Sequence, residues 1–168
     1  MTPALAGPRL RLRPIEAADA GALTAIRAEP GVCEWWGAPR PGDFESPGDE
    51  GGVLAIEVSG AIAGLIAYDE VADPEYRSAG IDLFLGAAWQ GRGLGREAIG
   101  VLVRYLIEER GHHRLTIDPA ARNERAIRCY EAVGFRRVGL LRQYERGDDG
   151  TWHDGLLLDL LADEWRGP

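Results

Sequence analysis

The sequence predicts one mixed α/β domain, over residues 1–168, in which helices flank a mostly antiparallel sheet. Three observations predict this fold class. The length suits a single domain with a proper core. Several strand-like segments follow one another early in the chain, which is typical of an antiparallel meander. A helix then separates two further strand-like segments, and this order predicts one parallel β–α–β unit.

Seven segments have the pattern of a strand. The first, "RLRLR", alternates strictly, with Leu10 and Leu12 facing inward. Two apolar runs around the Ser59-Gly60 pair predict a hairpin. The turn sequence "GDDG" separates the last two strands. The predicted strands are 9–13, 53–58, 61–68, 79–86, 114–118, 136–146 and 152–161.

Three segments have helical periodicity, and each is bounded by residues that start or stop helices. Pro30 and Gly31 end the first helix, and Gly134 supplies the C-cap of the last. Residues 37–52 are rich in glycine, proline and acid, which predicts a long loop of the functional or disordered kind. The predicted helices are 17–28, 94–109 and 123–135.

The charge balance argues against nucleic acid as a partner. The chain has 27 acidic against 19 basic residues, a net charge of −8, whereas nucleic-acid binders usually carry the opposite balance. An acidic surface suits a cationic small molecule or a basic peptide. All basic residues are arginine, so a phosphate loop of the Walker type and Schiff-base chemistry, which need a lysine, are excluded.

The sequence predicts neither a membrane protein nor a metal protein. No apolar run approaches the roughly 18 residues of a membrane span, and the first residues lack a signal-peptide pattern, so we expect a cytoplasmic protein. Cys33 and Cys129 are too few and too far apart for a disulfide scaffold or a metal site. The adjacent His112 and His113 have diverging side chains, so no metal is expected.

The stretch "WQGRGLGREA" at residues 89–98 carries the strongest functional signal. Gly91, Gly93 and Gly95 alternate immediately before a helix, where glycine is costly unless a ligand must approach the bare backbone. Free N–H groups and the helix dipole favour an anion at that place. The backbone of about residues 91–96 is therefore expected to bind phosphate, with Arg92 and Arg96 at the rim.

A dinucleotide-binding site is the first alternative. "GLGREA" fits G-x-G-x-x-A, and Asp118 lies where a ribose-binding acid would stand. Against it, the residues "GAAWQGR" separate the first glycine from its strand, and the preceding strands are predicted to be antiparallel. Only one β–α–β unit follows, which is too little for a dinucleotide. We therefore favour a phosphate-bearing ligand other than a dinucleotide.

A second pattern includes Gln90: "QGRGLG" after a strand, followed about thirty residues later by "DPAARNERAIRCYEAVGF". This combination resembles the GCN5-related N-acetyltransferases, closely over residues 78–136 and loosely over the whole strand order. With "GID" and with "CEWWG" at 33–37, the chain is most similar to aminoglycoside 6′-N-acetyltransferases. The resemblance implies a sheet that splays at strand 79–86 and an enzyme that uses acetyl-coenzyme A.

The resemblance also assigns the coenzyme-binding residues. The pyrophosphate would lie on the 90–96 loop, and the pantetheine arm would pair with strand 79–86 as an added strand does. Asn123 would cap the last helix or contact the coenzyme. The implied residues are Leu83, Phe84, Leu85, Gln90, Gly91, Arg92, Gly93, Leu94, Gly95, Arg96, Asn123 and Tyr130.

Two residues are implied as catalytic. Tyr130 matches the family's tyrosine, and a phenol with a pKa near 10 is a reasonable proton donor to a thiolate leaving group. Asp82, in "GID", would accept the proton of the amine, although an ordinary aspartate is a weak base unless burial raises its pKa. Asp118 is the second candidate for the base. Cys129 is expected in the core, because direct transfer needs no covalent enzyme.

For substrate binding we expect an anionic rim and an aromatic pocket. The segment "YDEVADPE" would place acids on a loop near the same end of the sheet as Asp82, and one of two adjacent tryptophans would cover a sugar ring or an alkyl amine. The substrate candidates are Trp35, Trp36, Asp69, Glu70, Asp82 and Asp118, with Asp73 and Glu75 in the same acidic segment.

Beyond residue 136 the resemblance changes. "LRQYERGDDGTWHDGLLLDLLADEW" is more similar to ribosomal-protein N-terminal acetyltransferases, and His153 and Asp154 are either substrate contacts or turn residues. An aminoglycoside-type small polycation is the expected acceptor, with a protein N-terminus as the alternative. A noncatalytic coenzyme-binding or dinucleotide-binding module is the alternative from another class. The sequence leaves homodimerisation open.

Overall fold

The computed structural model describes residues 2–44 and 52–167. Within them lie an eight-stranded sheet and four α-helices. The strands are β1 Leu5–Ala6, β2 Arg11–Pro14, β3 Gly52–Val58, β4 Ala61–Val71, β5 Ser78–Leu85, β6 Arg114–Ile117, β7 Arg136–Arg146 and β8 Trp152–Leu161. The helices are α1 Ala20–Arg27, α2 Pro30–Trp36, α3 Leu94–Arg104 and α4 Glu124–Val133.

The sheet is mixed and mostly antiparallel, which confirms the predicted fold class. Its strand order is β1-β2-β3-β4-β5-β6-β8-β7. Strands β1 to β5 form the antiparallel meander. Strand β6 runs parallel to β5 after the α3 crossover, and β8 inserts antiparallel between β6 and β7. The glycine-rich segment therefore lies in the first turn of the β5–α3–β6 unit, as predicted.

Hydrophobic cores cover both faces of the sheet. On one face, residues of α3 and α4 pack against the sheet, with Leu83 and Leu85 of β5 beside them. On the other face, residues of α1 and α2 pack around Phe84 of the same strand. Because side chains alternate along a strand, Asp82 shares the face of Phe84. Strand β5 thus presents different chemistry to each side of the sheet.

The region of the first helix differs from the prediction. Residues Ala17–Asp19 form a 3-10 turn, and α1 starts only at Ala20. Pro30 does not simply end a helix, because it opens α2 at a position where its missing N–H is harmless. The tryptophans at 35 and 36 consequently lie in the last turn of a helix instead of in a connecting loop.

Other boundaries also shift. Helix α3 is α-helical as far as Arg104, and a π-helical turn follows directly over Tyr105–Glu109. Strand β4 extends to Val71, beyond its predicted end at residue 68, and the short β1 was not predicted. Of the predicted loop 37–52, residues 45–51 lie outside the described residues, and Gly52 already belongs to β3.

The described ranges contain neither a membrane-spanning helix nor a cluster of metal-ligating side chains. No helix there is both long and apolar enough to cross a membrane. Across the same ranges, no group of three or more His, Cys, Asp or Glu side chains is placed to hold a metal ion.

Candidate active site

The sheet opens between its two parallel strands. Strands β5 and β6 pair only through Ala79↔Leu115 and Gly80↔Thr116. Strand β5 then continues to Leu85 while β6 ends at Ile117, so the two strands splay as predicted. A cleft of about 520 Å³ fills this opening, which we call the wedge. Most of the residues that the sequence predicted for the site line this wedge. They are Trp35, Trp36, Asp82, Leu83, Phe84, Leu85, Gln90, Gly91, Gly93, Leu94, Gly95, Arg96, Asp118, Asn123 and Tyr130.

The glycine-rich turn forms one wall of the wedge. Gly91 and Gly93 have φ values of +71° and +77°, in the left-handed region that favours glycine. Gly93 is the N-cap of α3, so the first amides of that helix have no acceptor within it. Gly91 lines the wedge, and a Cβ atom on it would meet no protein atom within 4 Å. The turn has the features of an anion-binding helix start.

Arg9 braces this turn from the other end of the sequence. Its guanidinium donates to the Arg92 carbonyl oxygen at 2.8 Å and to the Glu97 carboxylate at 2.7 Å. Its backbone N–H donates to the second Glu97 oxygen at 2.7 Å. No signal in the sequence pointed to Arg9, because 88 residues separate it from Glu97.

Gln90 links the end of β5 to α4. Its amide nitrogen donates to the Leu85 carbonyl at 2.6 Å, and its amide oxygen accepts from Arg125 at 2.8 Å. Arg125 lines the wedge together with Arg96, so two guanidinium groups lie beside the glycine-rich turn. Sequence reasoning missed Arg125, whose place in the wedge depends on how α4 packs.

Helix α4 supplies three groups to the wedge. The Asn123 side chain caps the helix by accepting from the Ala126 N–H at 3.1 Å. Tyr130 is buried, and burial followed by the charge of Asp82 raises the pKa of its phenol well above the usual value. Burial also raises the pKa of the Cys129 thiol. Both side chains therefore stay protonated at neutral pH, and Tyr130 is available as a proton donor.

Asp82 faces the wedge from the opposite side of β5. Its side chain is open to the cleft, yet the surrounding protein restricts its solvation. This desolvation, together with the negative charge of Asp118, raises the pKa of Asp82 to about 7. A hydrogen bond from the Leu83 N–H, at 3.0 Å, partly offsets this rise by lowering the pKa of Asp82. Asp82 consequently exchanges a proton near neutral pH.

Two further carboxylates surround Asp82. Asp118, immediately after β6, lines the wedge and accepts a hydrogen bond from the Tyr144 hydroxyl. Glu145 of β7 also lines the wedge and adds to the negative potential at Asp82. Neither Tyr144 nor Glu145 was singled out in the sequence, because an irregular strand brings them there.

The two tryptophans have different surroundings. Trp36 packs edge-to-face on Phe84 with ring centroids 5.0 Å apart, and so belongs partly to the core. The Arg122 guanidinium lies over the Trp35 ring, 4.5 Å from its centroid, and pairs with Glu34 at 3.0 Å. Arg122 thus competes for a face of Trp35 that was expected to receive the acceptor.

The first part of the acidic segment belongs to a strand instead of the expected loop, and the charge of Asp69 helps to raise the pKa of Asp82. Asp69 and Glu70 lie within β4 beside Gly80 and Ala79, near the start of β5, and neither lines the wedge. Glu70 instead contacts Arg110 and His112, at 2.9 and 2.6 Å. Because β4 extends to Val71, Asp73 and Glu75 lie at the opposite end of β5 from Leu85.

Three other candidates are engaged elsewhere. Arg92 stacks on Trp89, with the guanidinium 5.3 Å from the ring centroid, and does not line the wedge. His153 contacts Asp149 within the β7–β8 turn at 2.9 Å. Asp154 accepts from the Gln143 N–H at 2.7 Å. The last two contacts are those of turn and strand residues.

Comparisons with known proteins identify the family. The model described as "Acetyltransferase (GNAT) domain" matches residues 9–136, which is more than half of the chain. The chain is 42% identical over 73 residues to the aminoglycoside N(6′)-acetyltransferase type 1 of Klebsiella pneumoniae, covering 43% of this chain and 35% of that protein. The same identity relates it to the kanamycin resistance protein of Rhizobium radiobacter, over 43% of this chain and 66% of that protein.

A longer but weaker similarity reaches another branch. The [ribosomal protein uS5]-alanine N-acetyltransferase of Escherichia coli is 27% identical over 104 residues, which cover 62% of this chain and 53% of that protein. The chain thus matches between a third and two thirds of the length of these relatives.

Solved structures share the fold. A GCN5-related N-acetyltransferase from Brucella melitensis has a TM-score of 0.84 at 23% identity, over 98% of this chain and 81% of that one. Mycobacterium smegmatis RimJ, solved with CoA-disulfide, has a TM-score of 0.81 at 24% identity, over 96% of this chain and 87% of that one. On the family match, the chain belongs to the GNAT acetyltransferase family.

Proposed function

We propose that the protein is an enzyme that uses acetyl-coenzyme A to acetylate a primary amine of a small polycation of the aminoglycoside type. One observation carries the proposal: Asp82, Asp118 and Glu145 meet in the wedge opposite the glycine-rich turn. Carboxylates in a partly desolvated cleft attract ammonium groups more strongly than the same groups do in open solvent. The names of the Klebsiella and Rhizobium relatives point to the same class of acceptor.

The coenzyme side of the wedge fits a pyrophosphate. The free amides at the start of α3 and the guanidinium groups of Arg96 and Arg125 are suitable donors to phosphate oxygens. Leu83 and Leu85 lie on the part of β5 that has no partner in β6, where an amide-bearing arm can pair as an added strand does. These residues would hold the coenzyme with its acetyl end beside Asp82 and Tyr130.

Bound acetyl-coenzyme A supplies an activated acetyl thioester whose sulfur leaves as a thiolate. Asp82 would take one proton from the ammonium group of the acceptor, and the freed nitrogen would form the new bond to the carbonyl carbon as the carbon–sulfur bond breaks. Tyr130 would give its phenol proton to the leaving sulfur. The second proton, which the nitrogen loses as the amide forms, would return to the Tyr130 oxygen through solvent. A base with a pKa of about 7 and a phenol that stays neutral suit these two tasks.

A protein N-terminus is the second candidate acceptor. The similarity to the E. coli uS5-alanine acetyltransferase extends over 62% of the chain, further than the 43% shared with the aminoglycoside enzymes. The α-amino group of a peptide would enter the same carboxylate-lined side of the wedge, so substrate measurements must decide.

The choice of acceptor can be tested by measuring thiol release with kanamycin-type sugars, simple monoamines and short N-terminal peptides at two ionic strengths. We expect the polycationic sugars to react with the highest kcat/KM, and this value to fall at high salt because screening weakens their attraction to the wedge. Reaction of peptides alone, with little salt dependence, would assign the enzyme to the protein-acetylating branch.

Gly91→Ala should weaken the binding of coenzyme A at least tenfold, because Gly91 lines the wedge and a methyl group there narrows the space beside the turn. Gly111→Ala is the matched control: its φ is +69° against +71°, and a Cβ there also meets nothing within 4 Å. Both variants should lose about 1–2 kcal/mol of stability from left-handed strain. Equal coenzyme affinity in calorimetric titrations of the two would show that the glycines serve the turn alone.

Tyr130→Phe should lower kcat by about 10²- to 10⁴-fold with little change in the KM for acetyl-coenzyme A, because the ring stays and the proton donor is lost. Tyr105→Phe is the control, since Tyr105 is 7% exposed against 6% for Tyr130 and lies outside the wedge. A parallel loss of coenzyme affinity in Tyr130→Phe would make Tyr130 a binding residue.

The pH profile reports on Asp82. If Asp82 accepts the proton of a bound ammonium, kcat/KM should rise with a midpoint near pH 7 and then level off, since the carboxylate form accumulates above its pKa of about 7. In Asp82→Asn the smaller kcat/KM should keep rising toward the pKa of the free amine, about 10 for a lysine-like amine. Asp163→Asn, an exposed residue outside the wedge, is the control. A plateau that survives in Asp82→Asn rules out this role.

A further inference from the structure

Strand β7 contains a bulge at the edge of the wedge. Leu141 pairs with Gly155 and Glu145 pairs with His153, so residues 142–144 of β7 stand opposite Asp154 alone. Gln143, within the bulge, has a φ of +50° although it is not a glycine. Its N–H is held by the Asp154 carboxylate at 2.7 Å. Bulges of this kind redirect side chains next to functional sites.

The bulge brings the Tyr144 hydroxyl to the carboxylate of Asp118. The ring lies against the backbone of β8, where a Cβ on Gly155 would come within 2.9 Å of the ring. A larger residue at position 155 would therefore displace the tyrosine. Three separate features thus position Tyr144 for one hydrogen bond: the bulge, the contact of Asp154 with the bulge, and the space at Gly155.

This hydrogen bond orients a carboxylate that has few other restraints. Among the described residues, Tyr144 is the side chain that hydrogen-bonds Asp118. The bond raises the pKa of Tyr144 to about 12, so the hydroxyl remains a donor throughout the working range of pH. With one lone pair held by Tyr144, the remaining lone pairs of the carboxylate are directed and available to an ammonium group.

We propose that Tyr144 is a positioning residue, which holds Asp118 so that its carboxylate binds a second cationic group of the acceptor while Asp82 serves the reacting amine. The inference rests on the proposed function and narrows it. The acceptor would carry two amines close together, one in reach of Asp82 and one in reach of Asp118. An acceptor with a single amine would gain little from the Tyr144–Asp118 pair.

A double-mutant cycle tests this role. The variants Tyr144→Phe, Asp118→Asn and the combination are assayed with a diamine-bearing aminosugar and with the analogue that lacks the second amine. Tyr144→Phe should raise the KM for the diamine about tenfold, change kcat little and leave the monoamine within about twofold. In the Asp118→Asn background, adding Tyr144→Phe should not raise the KM for the diamine any further, because the hydroxyl then has no carboxylate to orient.

Three additional measurements make the outcome decisive. Tyr76→Phe, at a tyrosine that is 71% exposed and outside the wedge, should match the unaltered enzyme. Gly155→Ala should reproduce the Tyr144→Phe pattern, because it displaces the ring without removing the hydroxyl. Melting curves and coenzyme A affinity should be unchanged in Tyr144→Phe.

Equal losses on both acceptors, or losses that add to those of Asp118→Asn, would overturn the positioning role. So would a Tyr144→Phe enzyme with unaltered kinetics on the diamine. A different result concerns the proposed function itself: if the unaltered enzyme acetylates neither aminosugar, that proposal fails, whatever Tyr144 does.

Discussion

The parting of β5 and β6 after two residue pairs is the constraint on which the rest of the site depends. A continuous pairing of these strands would bury the edge of β5 and leave no space between Asp82 and Asp118. Because β5 alternates its side chains, the opening is lined by leucines on the face of α3 and α4 and by Asp82 and Phe84 on the face of α1 and α2. In the proposed function, coenzyme and acceptor would approach from opposite faces and meet within the sheet.

The opening also separates charges. Helix-start amides and guanidinium groups lie on the side proposed for the coenzyme, whereas carboxylates lie on the side proposed for the acceptor. Clustering carboxylates in a poorly solvated place disfavours their ionisation, which is why the pKa of Asp82 rises to about 7. The desolvation that suits Asp82 to the proposed role of base also lowers the stability of the fold as the pH rises from the ordinary aspartate range to about 7, because the ionised form is less stable in the folded protein than in the unfolded chain. Sites that need such groups commonly give up stability for activity.

Local patterns predicted much of this arrangement. The glycines at 91 and 93, the cap at Asn123 and the order of strands follow from residues close in sequence, and all appear where expected. Contacts across long separations could not be predicted: Arg9 reaches Glu97 over 88 residues, and a bulge places Tyr144 on Asp118. Asp69 and Glu70 were expected on a loop but belong to β4, because that strand runs past its apolar segment.

Hydrogen–deuterium exchange of the enzyme with and without coenzyme A tests most directly whether the wedge holds the coenzyme. Beyond Gly80, the amides of β5 that point away from β4 have no partner strand, and the first amides of α3 have no acceptor within the helix. The coenzyme would supply acceptors to both groups. Coenzyme A should therefore slow exchange in peptides covering residues 83–85 and 91–96, and leave the β3–β4 hairpin at 57–62 unchanged. Slowed exchange at the hairpin, with no change along β5 and the turn, would place the coenzyme elsewhere and contradict the central role of the wedge.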